Sequence, residues 1–203
     1  MKLYYSPGAC SLSPHIVARE AGIDIAMEKV DFSTKTFAGG KDFLAVNPKG
    51  YVPALQLDNG EVLTEGPTIV QYLADLKPNS GLAPANGTME RYRLQELLGY
   101  INSELHKSFG PLFNPATTAE ARAERVAYLQ KRFAFIDGAL KGKFFLLGER
   151  FSVADAYLFT VTRWASIVKL DLSSFTNLLA FQKRVAARVG VKAAMLAEGL
   201  VAA

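Results

Sequence analysis

The stretch Lys77-Pro78-Asn79-Ser80-Gly81-Leu82-Ala83-Pro84-Ala85-Asn86-Gly87 separates two kinds of hydrophobic spacing, and that change constrains the fold more than any single motif. Pro, Gly and Asn at this density suit an interdomain linker, because they disfavour helix and strand alike. Before it, residues 1–80 alternate strand-like apolar runs with helical periods. After it, residues 88–203 carry helical periods only. The expected architecture is a mixed α/β domain followed by an all-helical one, with residues 77–87 between them.

In the first part, Lys2 to Ser6 reads as a strand ending at the breaker Pro7-Gly8. Ser13-Pro14 opens a helix, with Pro near the first turn and Gly22 where a C-terminal cap belongs. Ala26 to Phe32 reads as a second strand. Val52 to Leu57 and Glu61 to Thr64 flank Asp58-Asn59-Gly60, a hairpin signal because Asn and Gly tolerate positive φ. Gly66-Pro67 opens a helix carrying Ile69, Tyr72, Leu73 and Leu76 at three-and-four spacing. The order βαβ then ββα describes a small mixed sheet with helices packed on it.

In the second part, Leu94, Leu97, Leu98, Ile101 and Leu105 mark one helix, which is expected to end near His106. Val126, Leu129, Phe133, Ile136 and Leu140 mark another that stops at Gly142. Ser152-Val153-Ala154-Asp155 has capping-box spacing, with Phe151 placed to staple against Ala156 or Tyr157. That helix is expected to turn Val161, Trp164, Ile167 and Val168 inward. A last helix includes Leu178, Leu179, Phe181, Val185 and Val189.

Composition removes several classes of function. The 203 residues hold one Cys and two His, too few for a structural zinc site and incompatible with an intramolecular disulfide. Net charge is +4, but the 23 basic residues are interleaved with 19 acidic ones, most densely from Glu120 to Arg132. Such alternation suits a solvated helix face, not a nucleic-acid surface. No apolar run reaches the roughly 20 residues that span a bilayer, and the first residues lack a signal peptide's apolar core. A cytoplasmic protein is expected.

Three loops of the first part offer chemistry. Cys10 follows the first strand and precedes a helix, where the dipole and first-turn amides favour a thiolate; the alternative is a buried, inert thiol. Pro53, entering a strand, needs an edge, a strand start or a cis bond, and a bend there frees the Val52 backbone to pair with an extended ligand. Glu65-Gly66-Pro67 lies at a helix N-terminus, where amides bind a carboxylate and Glu65 suits an ammonium group; ordinary capping is the alternative. Together they suit a small peptide thiol. His106 and Lys107 read by themselves as a core histidine and a helix C-terminal charge. Tyr5, at a strand end, either donates to a sulfur or packs.

Met1 to Ser13, Asn47 to Pro53, Leu63 to Gly66, Ser103 to Lys107, Val153 to Phe159 and Ala197 to Leu200 closely resemble the bacterial beta-class glutathione transferases, over essentially the whole chain. The resemblance implies a thioredoxin-like N-terminal domain, a helical C-terminal domain and a homodimer. It implies glutathione as co-substrate, a small hydrophobic electrophile as the other, and no metal. It makes Val52-Pro53 a cis bond that presents the Val52 backbone to the cysteinyl part of glutathione. Glu65 and Gly66 would hold the γ-glutamyl end, and Lys35 the glycyl carboxylate. Cys10 and Ser11 would lie by the sulfur, with Cys10 able to form a mixed disulfide. His106 and Lys107 would face that sulfur, so the resemblance reverses the residue-level reading of His106. Tyr5 matches the catalytic tyrosine of other classes, although the beta class does not generally rely on it. Ser103 and Glu104 are expected to make cross-subunit contacts, with Leu105 beside them in the glutathione-facing set. One departure concerns Gly99: family members commonly carry Asn there, which reaches glutathione in the other subunit, so a differently anchored ligand is expected.

Three activities fit these residues. The first is conjugation, in which donors and a helix N-terminus stabilise the thiolate of glutathione. The second is glutathione-dependent disulfide reduction through Cys10. The third is a non-catalytic carrier with Trp164, Phe109, Phe113 and Tyr157 around an apolar cleft.

Overall fold

In a computed structural model the described residues are 1–202, and the chain divides into two compact units. One is Met1–Ala83 with Ala187–Ala203; the other is Pro84–Ala186. Pro78–Ser80 forms a short 3₁₀ turn ahead of the division at Ala83.

The first unit begins with β1 (Lys2–Tyr5), α1 (Leu12–Glu20) and β2 (Ala26–Lys29). A short pair, β3 (Thr36–Phe37) and β4 (Lys41–Asp42), precedes β5 (Ala54–Gln56), β6 (Val62–Thr64) and α2 (Gly66–Asp75). The sheet order is β2-β1-β5-β6. β1 runs parallel to β2 because a helical crossover joins them, while the Asp58-Asn59-Gly60 turn makes β5 and β6 antiparallel. Leu3 lies opposite Leu55, which lies opposite Leu63. This is the thioredoxin-like arrangement that the resemblance implies. β2 ends at Lys29, short of the expected Phe32, whose side chain is exposed.

Successive side chains of β1 are buried on opposite faces of the sheet, as a two-residue period requires. Tyr4 joins Val30, Phe43, Val52 and Ala54, with its ring 5.2 Å from that of Phe37. α1 packs with α2, and both bury apolar stripes that include Ile16, Val17, Ile69 and Leu73. α1 is followed by Gly22 at φ +64, and the Ile23 N–H returns to the Ala18 carbonyl at 2.9 Å, which satisfies a carbonyl of the last turn.

The second unit contains α3 (Met89–Tyr100), a π-helical turn (Ile101–His106) and α4 (Lys107–Phe113). α5 (Ala119–Ala139), α6 (Val153–Thr162), α7 (Trp164–Ile167) and α8 (Thr176–Ala186) follow. Every residue of α6 is buried. Asp155 accepts from the Ser152 N–H (2.8 Å), the Ser152 hydroxyl (2.7 Å) and the Leu146 N–H (2.8 Å). The expected capping box therefore forms and also ties down the preceding loop. Phe151 meets Phe145 edge-on at 5.6 Å.

Two expectations need correction. Ile167 is 66% exposed and does not face inward, because α6 stops at Thr162 and the chain restarts as the single turn α7. The last apolar stripe is also two helices: α8 ends at Ala186, and α9 (Val189–Ala197) belongs to the first unit with an exposed Val189. α9 packs on α1, and an Arg188–Glu20 ion pair at 2.6 Å holds its start. Gly190 makes that approach possible, since a Cβ there would sit 2.8 Å from Glu20 Oε1.

Candidate functional site

The loop between β1 and α1 is folded on Ser6. The Ala9 N–H and the Ser11 hydroxyl both donate to the Ser6 carbonyl, at 3.0 and 3.2 Å, and the Ser6 N–H donates back to Ser11 Oγ. Ser11 is thereby buried as a support. Cys10, half-buried, precedes α1, and its carbonyl accepts from the Ser13 N–H and hydroxyl. Its thiol donates to the Val52 carbonyl at 3.2 Å. Only the protonated thiol makes that bond, so it opposes the thiolate that the helix terminus favours.

Val52-Pro53 is cis, as the resemblance implies. Pro53 Cγ lies 4.0 Å from where a Cβ on Gly66 would stand, so the cis loop and the start of α2 are neighbours. Glu65 precedes α2 with φ +70, a conformation that L side chains rarely adopt and that costs on the order of 1–3 kcal/mol. Its carbonyl accepts from the Thr68 and Ile69 N–H groups. Its side chain does not cap the helix. Instead Glu65 Oε1 accepts from the Lys49 ammonium at 2.7 Å and the Tyr51 hydroxyl at 3.0 Å. Lys35, also at positive φ (+56), donates to the Gly50 carbonyl at 2.9 Å. Cys10, Val52, Pro53, Glu65, Gly66 and Lys35 are thus gathered on adjoining loops at one end of the sheet. Burial, then the negative charges of Glu198 and Glu28, push the Tyr5 phenol above its ordinary value. Tyr5 is suited to donate a proton in a hydrogen bond and not to act as a phenolate.

In the helical unit the predicted residues fall on the π turn. The helix does not end at His106, so Lys107 opens α4 and is not a C-terminal charge. Tyr157 donates to Asn102 Oδ1 at 2.9 Å, which makes His106 Nδ1 the donor to the Tyr157 oxygen at 2.5 Å and leaves Nε2 as the basic ring nitrogen. The His106 ring meets Trp164 edge-on at 4.9 Å. Ser103 bonds back to the Gly99 carbonyl (3.0 Å), and Glu104 accepts from Tyr128 (2.5 Å) and pairs with Arg132 (2.7 Å). Leu105 is fully buried in the core of this unit. Phe109 and Tyr157 are likewise core, whereas Phe113 is 47% exposed.

The glutathione S-transferase N-terminal domain model matches residues 8–76, and the C-terminal domain model matches residues 100–188. The glutathione S-transferase GstA of Escherichia coli O157:H7 is 49% identical over 200 residues, covering 98% of this chain and all of the relative. The chain belongs to the glutathione S-transferases, in their bacterial beta class. Among solved structures, the transferase is similar to BphK, a bacterial enzyme in a ternary complex, at 55% identity and a TM-score of 0.97. That match covers 98% of this chain and 100% of the other. A sphingomonad glutathione S-transferase complexed with glutathione is 48% identical with a TM-score of 0.95, covering 99% of the transferase and 100% of the neighbour. Glutathione is the co-substrate of this transferase. No helix among its described residues is long and apolar enough to cross a membrane.

Sequence reasoning missed Lys49 and Tyr51, although both lie in the Asn47-to-Pro53 motif that carried the resemblance. It also missed the π turn, which nothing in the local composition marks, and the Asn102–Tyr157–His106 chain that the turn creates. π turns are frequent at functional sites.

Proposed function

We propose that this transferase holds glutathione on the loops around Cys10, Val52-Pro53 and Glu65-Gly66 and directs its thiolate at small hydrophobic electrophiles. The observation that carries this is the convergence of the three loops: a thiol 3.2 Å from the Val52 carbonyl, Pro53 against Gly66, and Tyr51 on Glu65. The backbone beside Pro53 pairs with the cysteinyl residue as an added strand does. Glu65 and the Gly66 amide hold the γ-glutamyl end, where the dipole of α2 favours a carboxylate. Lys35 takes the glycyl carboxylate. As the ligand engages the Val52 carbonyl, the Cys10 thiol gives up its acceptor and turns to the ligand sulfur, with Ser11 fixing the loop beneath it. His106, made basic at Nε2 by Tyr157 and Asn102, serves as the auxiliary base, with Lys107 beside it. Trp164 and Phe113 supply an apolar wall for the electrophile. Ser103, Glu104 and Gly99 belong, in this reading, to a homodimer interface of a cytoplasmic enzyme.

Incubation with glutathione and a panel of electrophiles, with conjugates read by mass spectrometry, tests the activity. Retention on immobilised glutathione and light scattering test the binding and the dimer. A monomer that is not retained would overturn the residue assignments. A second reading, disulfide reduction, is favoured by the partly exposed Cys10 thiol. Attack of its thiolate on a glutathione disulfide forms one S–S bond and releases one thiolate, and a second glutathione resolves the product.

A further inference from the structure

Glu65 is the carboxylate that the proposed function assigns to the α-ammonium of glutathione, and the following rests on that assignment. In this structure a cation from the protein itself already holds it. The Lys49 ammonium lies 2.7 Å from Glu65 Oε1 and 2.9 Å from Thr64 Oγ1, and the Tyr51 hydroxyl donates to the same Oε1 at 3.0 Å. Two donors use both lone pairs of that oxygen.

The position of Lys49 is built. Asn47 is buried; it donates through Nδ2 to the Tyr51 carbonyl at 2.7 Å and accepts from the Lys49 N–H at 3.2 Å. The Gly50 N–H closes the turn on the Asn47 carbonyl at 2.9 Å. Lys49 and Tyr51 therefore leave one rigid turn on either side of Gly50 and meet on one carboxylate. Glu65 itself stands at positive φ, with its carboxylate on the side chains of that turn. The bond to Glu65 raises Lys49 above its ordinary range, so Lys49 is charged at any physiological pH. Both side chains of the pair are almost half exposed, so the pair is weak enough to be exchanged.

We propose that Lys49 is an internal competitor for the Glu65 carboxylate: a ligand's free α-ammonium meets a carboxylate already neutralised by Lys49, so Lys49 lowers the affinity for such ligands and leaves ligands without that charge unaffected. Two ammonium groups at one carboxylate repel, and only one neutralises it. The opposite arrangement, in which Lys49 helps to bind the ligand's α-carboxylate, predicts the opposite sign.

Isothermal titration of wild type and Lys49→Met with glutathione, and with its analogue carrying hydrogen in place of the α-amino group, separates these. The expected result is glutathione binding tightened about two- to fivefold, the range that an exposed ion pair contributes, with the deamino analogue unchanged. Lys49→Arg should keep the wild-type affinity, and Lys49→Gln should repeat the tightening should Lys49→Met fail to fold. Weaker binding, no change, or equal tightening for both ligands would overturn the proposal. Wild type that binds neither ligand would instead remove the Glu65 assignment, and this inference with it.

Discussion

His15 and Glu198, 183 positions apart, are hydrogen-bonded, with Nδ1 and Oε1 separated by 2.9 Å and side chains 1% and 0% exposed. Glu198 uses its other oxygen to accept from the Gly8 N–H at 2.9 Å, two residues before Cys10. The carboxylate thus joins α1, the residue after α9 and the thiol loop. Removing Glu198 takes the acceptor from the buried His15 ring N–H, at a cost of about 1–3 kcal/mol. Glu198→Ala is expected to lower stability by that order in urea unfolding, while Glu198→Gln, which keeps an acceptor, loses less. Equal losses in the two variants would show that the charge, not the hydrogen bonding, is what matters.

Asp155 carries a pH signature. Its complete burial raises its pKa from an ordinary 3.8 to about 6, against the opposing bonds from Leu146 and Ser152. The folded state therefore binds the proton more tightly than the unfolded chain. The contribution of Asp155 is fully present below about pH 4 and is lost as pH rises through about 6. Two pK units correspond to about 3 kcal/mol. Asp155→Asn removes the titration, so the stability advantage of wild type over this variant should shrink by that order between pH 4 and 7. A gap that stays constant with pH would contradict it.

Gly99 lies in α3, one residue before its end, and nothing stands within 4 Å of the Cβ it lacks. Ala there is expected to add about 0.5–1 kcal/mol through helix propensity, which raises Tm by about 1–4 °C in a chain of this size. Gly99→Asn introduces the residue that the resemblance leads one to expect there. A gain in glutathione affinity for Asn over Ala would support the cross-subunit anchor, and calorimetry of both variants decides it.

Cys10 is expected to be the residue captured by oxidised glutathione. With one Cys in the chain, the mixed disulfide has no internal thiol to resolve it and should persist. Intact mass after treatment should show one glutathione adduct, absent in Cys10→Ala. In that variant conjugation is expected to survive and disulfide reduction to disappear. An unmodified wild type would make the Cys10–Val52 bond a structural one.

What could be read in the sequence was local chemistry. Asp58-Asn59-Gly60 marked the hairpin and Ser152 with Asp155 the capping box, because each is fixed by residues within a few positions. Pro53, by contrast, left an edge, a strand start and a cis bond open until the resemblance chose among them. The break at Arg163 was not legible: no Gly or Pro marks it, and Ile167 keeps the helical spacing of a stripe from which it has left. The π turn failed for a similar reason, since one extra residue in a helix shifts every later side chain without altering composition. His15 with Glu198, and Glu20 with Arg188, join opposite ends of the sequence, and no periodicity reports such partners. The roles of His106 and Lys35 came through resemblance alone.

The return of α9 to the first unit makes synthesis and assembly run out of step. A ribosome delivers the sheet, then the whole helical unit, and only after both the segment that carries Glu198. Until that segment emerges, the Gly8 N–H next to the thiol loop lacks its carboxylate and α1 lacks its cover. A frameshift or premature stop ahead of Glu198 would therefore act as a lesion in the loop that carries Cys10, although no residue near Cys10 had changed.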